Sequence, residues 1–124
     1  MRLRDVILGS AIITMLGVAS GDATESRLRI EVSPRISLAP AVVTIRAIVK
    51  PDAANRSLQI VADSGSYYRS SVVSLDGANA AAITETRLKN LPGGEYEMTV
   101  ILFDTDGRRT ADRRHIMVTS SSAN

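Results

Sequence analysis

The sequence predicts an all-β chain in which seven antiparallel strands form a two-sheet sandwich. Apolar and polar residues alternate with a period of two in segments that recur about every 10 to 15 residues, which is typical of strands with one buried face. Clusters of Gly, Pro, Asp and Ser separate these segments and supply turns. After residue 20, no segment has the periodicity of an amphipathic helix. These three observations give the fold class.

The first four predicted strands end at residues that favour a reversal of the chain. In order, the segments and their terminators are 28–32 with Pro34, 43–49 with 50–52, 58–62 with 63–66, and 67–75 with 76–79. Proline lacks a backbone N–H and is tolerated at the edge of a sheet or at a break. Pro34 therefore suits a first strand that passes from one sheet to the other.

The last three predicted strands include the most regular alternation in the chain. They are 83–88, then 96–102, and a final strand marked by Ile116 and Val118. Alternation is weakest in the fifth strand, where we expect Thr86 and Leu88 to point inward. It is clearest in the sixth, whose even-numbered residues from Tyr96 to Leu102 are apolar or aromatic. The Asp-Thr-Asp-Gly segment at 104–107 predicts a hairpin turn before the last strand.

The junction between the fifth and sixth strands is the most diagnostic part of the chain. Leu88 and Leu91 form a Leu-x-x-Leu pair, a Pro-Gly-Gly reversal follows at 92–94, and Tyr96 opens the sixth strand. Glycine permits a positive φ and proline fixes its own φ, as a sheet-to-sheet reversal requires. We expect the ring of Tyr96 in the core, with its hydroxyl capping a nearby backbone group.

This junction resembles the tyrosine corner of immunoglobulin-like and fibronectin type III-like domains. The resemblance covers about residues 27–119, and its specific part is 88–107. It implies a seven-stranded antiparallel sandwich that acts as a binding, spacer or adhesive module. The chain departs from antibody domains because it has no Trp and no Cys, and so lacks their buried Trp and inter-sheet disulfide.

The N-terminus resembles a secretory signal peptide. A basic start at 1–4 precedes an uncharged, almost purely apolar segment at 6–19. This segment is shorter than the roughly 20 apolar residues of a membrane-spanning helix, so we expect a cleaved signal-peptide helix at 1–21. The remaining domains are then the sandwich at 26–119 and a polar, disordered tail at 120–124. The alternative is an uncleaved N-terminal anchor, which would be the chain's membrane contact; either form places the domain in a secreted or periplasmic location.

The composition gives no sign of nucleic-acid binding. The isoelectric point of about 9.4 looks basic, but the net charge is only +2, and Arg residues dominate the bases. With aromatic residues at 3% of the chain, core volume must come mainly from Val, Ile, Leu and Met. Without cysteine, no disulfide restricts the unfolded chain.

Four aspartates are candidate calcium ligands. Strand order brings the loops at 50–57, 76–80 and 104–109 to one end of the sandwich, and these loops carry Asp52, Asp76, Asp104 and Asp106. Calcium takes six to eight oxygen ligands. The alternative, which we favour, is that Asp-x-Asp-Gly is an ordinary hairpin turn, since several Lys and Arg residues in the same loops would repel a cation. We therefore expect no metal site.

Four arginines near the C-terminus are the candidate partner-binding residues. They are Arg108, Arg109, Arg113 and Arg114, on the last strand and its turn. Guanidinium groups bind carboxylates or phosphates in bidentate fashion, which would suit an acidic protein or polysaccharide partner. The alternative is that these charges keep an exposed edge strand from pairing with other chains. A third interpretation is that the edge accepts a partner strand.

Two further features of the sequence bear on function. Tyr67 and Tyr68 are adjacent and would form a small platform for sugar rings, although alternation should turn one of them inward. His115 is the only histidine, and no nucleophile motif or metal-ligand spacing accompanies it. We therefore expect that the chain is not an enzyme and holds no cofactor.

The predicted function is that of an exported, non-catalytic interaction module that binds a protein or envelope partner. One alternative is a structural subunit that associates with copies of itself through its edges. Another is a calcium- or glycan-dependent binding domain.

Overall fold

The structure is a computed structural model, which describes residues 26–120. These residues form eight strands and one short 3₁₀-helix, Gly77–Asn79. The strands are β1 (Leu28–Ser33), β2 (Ile36–Leu38), β3 (Ala41–Val49), β4 (Asn55–Asp63), β5 (Tyr68–Ser74), β6 (Ile83–Leu91), β7 (Gly94–Asp104) and β8 (Arg109–Thr119). The predicted signal peptide and residues 121–124 lie outside the described residues. Within 26–120, no helix is long and apolar enough to cross a membrane.

The eight strands form two sheets. One sheet has five strands in the order β2-β8-β7-β4-β5, and the other has three in the order β1-β3-β6. All neighbouring strands are antiparallel except β2 and β8, which are parallel. The prediction of an all-β, two-sheet fold is thus confirmed.

The predicted number of seven strands is wrong for the described residues, because β2 adds an eighth, and the prediction of purely antiparallel pairing is wrong for that strand. β1 ends at Ser33, and after Pro34 the chain crosses to the five-stranded sheet, where Ile36–Leu38 pairs with residues 117–119 of β8. Three residues are too few to show a period of two. The change of sheet at Pro34, however, is the one that the sequence predicts.

The core lies between the two sheets and is mostly aliphatic. Every strand except β2 and β5 contributes fully buried apolar side chains to a single cluster. The inward face of β7 contributes four large side chains, Tyr96, Met98, Val100 and Leu102, all at most 1% exposed. Burying one such side chain stabilises the fold by about 1.5–3 kcal/mol. The predicted inward face of the sixth strand is therefore confirmed.

A β-bulge explains how the Leu-x-x-Leu pair fits a strand. Leu88 and Leu91 are both buried, although residues three apart in a regular strand lie on opposite faces. In the ladder, Leu88 pairs with Val43 and Leu91 with Ala41, so β6 carries one residue more than β3 across this interval. Asn90 has a φ of 63°, a left-handed conformation that asparagine tolerates better than most residues. The extra residue turns both leucines inward.

Tyr96 closes the corner where β6 passes to β7. Its ring is buried, and its hydroxyl donates a 2.6 Å hydrogen bond to the carbonyl oxygen of Pro92. The ring of Tyr67 packs edge-on against it, with ring centroids 6.3 Å apart. Burial raises the pKa of the Tyr96 hydroxyl, because the charged phenolate would lose its hydration. The predicted capping of a backbone group by this hydroxyl is confirmed.

Candidate interaction surface

The three predicted loops do gather at one end of the sandwich. The N–H of Thr105 donates to the carbonyl of Ala54 at 2.9 Å, which joins the loop before β8 to the loop before β4. Gly77 closes on the same loop, since a Cβ added to it would lie 3.0 Å from the Ala53 carbonyl oxygen. Its φ of +53° also favours glycine. This end is thus a packed structure of three segments.

Asp104 is the buried centre of the loop cluster. Its Oδ1 accepts hydrogen bonds of 2.9 Å from the N–H groups of Asp106 and Arg108. The carbonyl of Asp104 accepts the N–H of Gly107, whose φ of +82° completes the predicted hairpin turn. Burial acts to raise the pKa of the Asp104 carboxyl, but the hydrogen bonds from Arg108, Arg27 and Asp106 and the charge of Arg108 together lower it.

The guanidinium of Arg27 lies among two of the candidate calcium ligands and the side-chain amide of Asn55. It is 3.3 Å from Oδ2 of Asp104, 3.1 Å from Oδ1 of Asn55 and 3.8 Å from Oδ2 of Asp52. Asn55 is 1% exposed and also donates to the carbonyl of Lys50. Two of the predicted aspartates are therefore brought together around a cation that belongs to the protein.

The other two predicted aspartates lie apart from this pair. Asp106 is at the surface with its carboxylate 3.9 Å from Arg108, and Asp76 precedes the 3₁₀-helix without capping it through its side chain. Across residues 26–120, no three His, Cys, Asp or Glu side chains are grouped so that they could hold a metal ion.

Arg27 and Asn55 belong to this cluster although the sequence did not indicate them. Asp104 continues the even-numbered inward face of β7, so alternation alone could have shown that it is buried. In β4 the even-numbered residues 58, 60 and 62 are buried, so alternation would place Asn55 outside. A bulge at Arg56, between the pairs Asn55–Asp104 and Ser57–Phe103, turns Asn55 inward. No local pattern marks Arg27.

The four predicted partner-binding arginines each contact a neighbouring group. Arg108 pairs with Asp104 and Asp106, Arg109 stacks 5.4 Å from the ring centroid of Phe103, Arg113 is 3.9 Å from Glu97, and Arg114 is 2.9 Å from Asp112. Arg109 and Arg113 lie on the outer face of β8, whereas Arg114 belongs to the opposite parity. The four guanidinium groups therefore do not form one continuous patch.

The last strand is an edge strand over only part of its length. β2 covers β8 at residues 117–119, and the outward edge is open along 109–116 of the described chain. Asp112 crosses that opening, since its Oδ2 accepts the N–H of Ile30 on β1 at 3.0 Å.

The two adjacent tyrosines face in different directions, as alternation predicts. Tyr67 packs against the core and Tyr96, while Tyr68 is 62% exposed on β5.

A shallow groove of about 450 Å³ runs along the junction of β2 and β8. It is lined by Arg35, Ile36, Glu95, His115, Ile116 and Met117. Ile36 is 73% exposed and Met117 37%, and the two residues pair across the parallel ladder. His115 lies on the face opposite Ile116, as the sequence predicts. The groove thus combines an apolar floor with cationic, imidazole and carboxylate groups at its rim.

Solved structures with the same fold include a superoxide reductase. The superoxide reductase (neelaredoxin) from Ignicoccus hospitalis is 17% identical over 73% of this chain and 79% of that chain, with a TM-score of 0.60. A variant of the same enzyme gives 18% identity over 81% and 89%, with a TM-score of 0.62. Comparison with protein-family models and with curated proteins finds no match. At this identity the likeness shows the fold alone.

This finding corrects the prediction that the chain is not an enzyme. That prediction took the sandwich to be an architecture of binding and spacer modules, and found no catalytic motif in the sequence. Structural neighbours of the chain are enzymes, so the architecture does not exclude catalysis.

Proposed function

We propose that this chain is an exported immunoglobulin-like or fibronectin type III-like domain that binds a protein or envelope partner through the groove at β2 and β8. Two features support the fold family. β4, β7 and β8 are neighbours in one sheet and β1, β3 and β6 in the other, which matches the partition of immunoglobulin strands C, F, G and A, B, E. The hydrogen bond from the Tyr96 hydroxyl to Pro92 matches the tyrosine corner.

The exposure of Ile36 and Met117 is the observation that carries the binding proposal. Large apolar side chains that stand together at a surface mark interaction sites, whereas single ones need no explanation. Leu38, the other outward residue of β2, is 65% exposed and extends the same apolar surface. A partner that covered these three side chains would gain about 25 cal/mol of binding free energy for each Å² of apolar area buried.

The rim of the groove indicates the chemistry of the partner. Arg35 and His115 line one cavity with the apolar residues, and Arg113 lies on the same outer face of β8 as His115. The ion pair of Arg113 with Glu97 spans 3.9 Å at the surface, and such exposed pairs are weak enough to exchange partners. Glu95 also lines the groove, so the surface fits a protein segment with an apolar side chain flanked by charged groups of both signs.

The binding proposal is tested by capture from envelope extract with matched variants. The bait is the full chain with a C-terminal tag, compared with Ile36→Ser, Met117→Ser and the control Val42→Ser, whose residue is exposed on the other sheet. We expect the two groove variants to lose captured partner by about tenfold or more and the control to retain it. Equal capture by all four proteins would refute binding through the groove.

Export is tested separately. Intact-mass measurement of the chain recovered from the periplasm or medium of a secreting host should give a start between Gly21 and Thr24. Recovery of only full-length protein in the membrane fraction would replace cleavage with the anchored alternative.

A further inference from the structure

The outer edge of β5 has its backbone groups unpaired by any described strand. β5 is the terminal strand of the five-stranded sheet and pairs only with β4. Beyond its two ends, Ser64 N–H donates to the Tyr67 carbonyl and Leu75 N–H donates to the Arg56 carbonyl. In an antiparallel ladder such bonds recur at every second residue, so the odd-numbered residues of β5 bond to β4. The N–H and C=O groups of Tyr68, Ser70, Val72 and Ser74 therefore face the open edge.

The other strand edges within 26–120 have features that hinder pairing with another chain, such as charged side chains, a bulge or a short length. β6 presents Glu85, Arg87 and Lys89 at exposed positions and ends in the bulge at Asn90. β2 is only three residues long.

The edges of β1 and β8 lie next to each other, and each is partly blocked from pairing with another chain. On β1 the Ile30 N–H is already bound by Asp112, and the open part of β8 is lined by arginines. β5 has none of these features, since it is seven residues long, regularly paired and charged only at Arg69. Its edge is the one that the described chain leaves ready to accept a strand.

A second copy of β5 fits this edge in one antiparallel register. Centring a twofold axis on Ser71 places Tyr68 opposite Ser74 and Ser70 opposite Val72 of the other copy, so that all four outward-facing residues form hydrogen-bonded pairs. Arg69 then faces Val73 of the other copy, and no like charges lie opposite each other. Val72 contacts Tyr68 or Val72 of the other copy along the diagonal.

We propose that two copies of this chain associate through antiparallel pairing of their β5 strands, which joins their five-stranded sheets into one. The pairing covers Tyr68 and Val72, which are 62% and 65% exposed in the single chain. It lies at the opposite edge of the sheet from the groove of Ile36 and Met117, so it does not depend on the proposed partner.

The register is tested by cysteine cross-linking in the full chain, which has no cysteine of its own. On the twofold axis, Ser71 and its copy form a non-hydrogen-bonded pair with Cα atoms about 4.5 Å apart, within the range of a disulfide. We expect Ser71→Cys to form a covalent dimer under mild oxidation about tenfold or more faster than the control Ser74→Cys. In the dimer, Ser74 faces Tyr68 and lies about six residue positions, roughly 20 Å, from its own copy. Equal rates for the two variants would overturn the register.

The dimer itself is tested by sedimentation velocity between about 5 and 500 µM, a range that detects interfaces of small area. We expect reversible dimers that Val72→Pro and Val72→Lys weaken by about tenfold or more. The groove variant Ile36→Ser and the surface control Val42→Lys should leave association unchanged. Val72→Lys retains a backbone N–H and keeps the test valid should the proline variant fold poorly.

A monomer at every concentration, or a dimer that neither Val72 variant weakens, overturns the proposal. Both outcomes are separate from the capture experiment, in which Ile36→Ser must lose the partner and the Val72 variants must keep it.

Discussion

The two sides of the sandwich are closed in different ways. On the side of β1 and β8, polar groups cross from sheet to sheet, with the Asp112 carboxylate on the Ile30 N–H and the Arg27 guanidinium on Asp104 and Asn55. On the side of β5 and β6, the described chain links the sheets through the exposed 2.7 Å hydrogen bond that the Arg69 guanidinium donates to the Lys89 carbonyl. We call the side of β1 and β8 the fastened side and the side of β5 and β6 the open side.

The difference follows from the unequal sizes of the sheets. A three-stranded sheet cannot cover a five-stranded one, so the outermost strands lack a facing partner. β2 has only three residues and follows directly from β1 across the fastened side, so it leaves little of this sheet uncovered. β5 keeps only Val73 packed against the core, with Arg69 half-buried beside it. Where the core does not hold a strand, its backbone groups and outer side chains are free for association.

The sharpest test of the open side compares two adjacent prolines at a concentration at which the chain is monomeric. Val73→Pro removes a ladder bond to Leu58 and should lower the free energy of unfolding by about 3 kcal/mol. Val72→Pro removes an N–H that faces the open edge and should cost about 1 kcal/mol. Urea denaturation measures both. Equal losses would show that the assigned hydrogen-bond parity of β5 is wrong.

On the fastened side, Asp112→Ala should cost about 2 kcal/mol. The substitution leaves the buried N–H of Ile30 without an acceptor, and an unsatisfied buried donor carries a penalty of about 1–3 kcal/mol. Asp112→Asn keeps an acceptor oxygen and serves as the matched control, with a smaller loss. A destabilisation by Asn as large as that by Ala would mean that the charge, rather than the hydrogen bond, closes this side.

Acid should weaken the same side through Asp104. The pKa of this carboxyl is lowered in the folded chain, so its ionised form favours folding above the unfolded pKa of about 3.9, and that stability is lost as the pH falls through the folded pKa. The difference in unfolding free energy between the natural chain and Asp104→Asn should be constant from about pH 5 to 7 and shrink below about pH 4. A difference that stays constant down to about pH 2.5 would contradict the assignment.

The smallest effect belongs to the open side. Arg69→Ala deletes the exposed bond to Lys89 and should change the unfolding free energy by about 0.5 kcal/mol or less. Arg87→Ala, at an exposed position on β6, is the control for loss of a surface charge. A loss above about 1.5 kcal/mol for Arg69→Ala would show that the two sides are fastened alike.

Period-two alternation predicted most of the fold because six of the eight strands present a buried face to a common core. It missed β2, whose three residues are set by pairing with distant residues of β8. It also placed the end of β6 too early, because the bulge at Asn90 changes the parity between Leu88 and Leu91.

The candidate sites were less predictable because they depend on contacts between distant segments. Alternation correctly separated Tyr67 from Tyr68 and placed His115 away from the core. The four arginines were visible in the sequence, but their pairing with Asp and Glu residues or with Phe103 depends on strand register. The groove was not found, because Ile36 and Met117 become neighbours only once β2 has joined β8.

The fastened side also bears on the order in which the molecule assembles. Arg27 and Asp104 are 77 positions apart, and Ile30 and Asp112 are 82 apart. Contacts of such separation make folding slow, because a long loop must close before either contact forms. When a chain emerges N-terminus first, from the ribosome or across a membrane, Arg27 is available to fold long before Asp104 has emerged. In a chain that emerges in this order, the contacts of Arg27 with Asp104 and of Ile30 with Asp112 form last, whereas the ladder of β1 with β3 can form earlier.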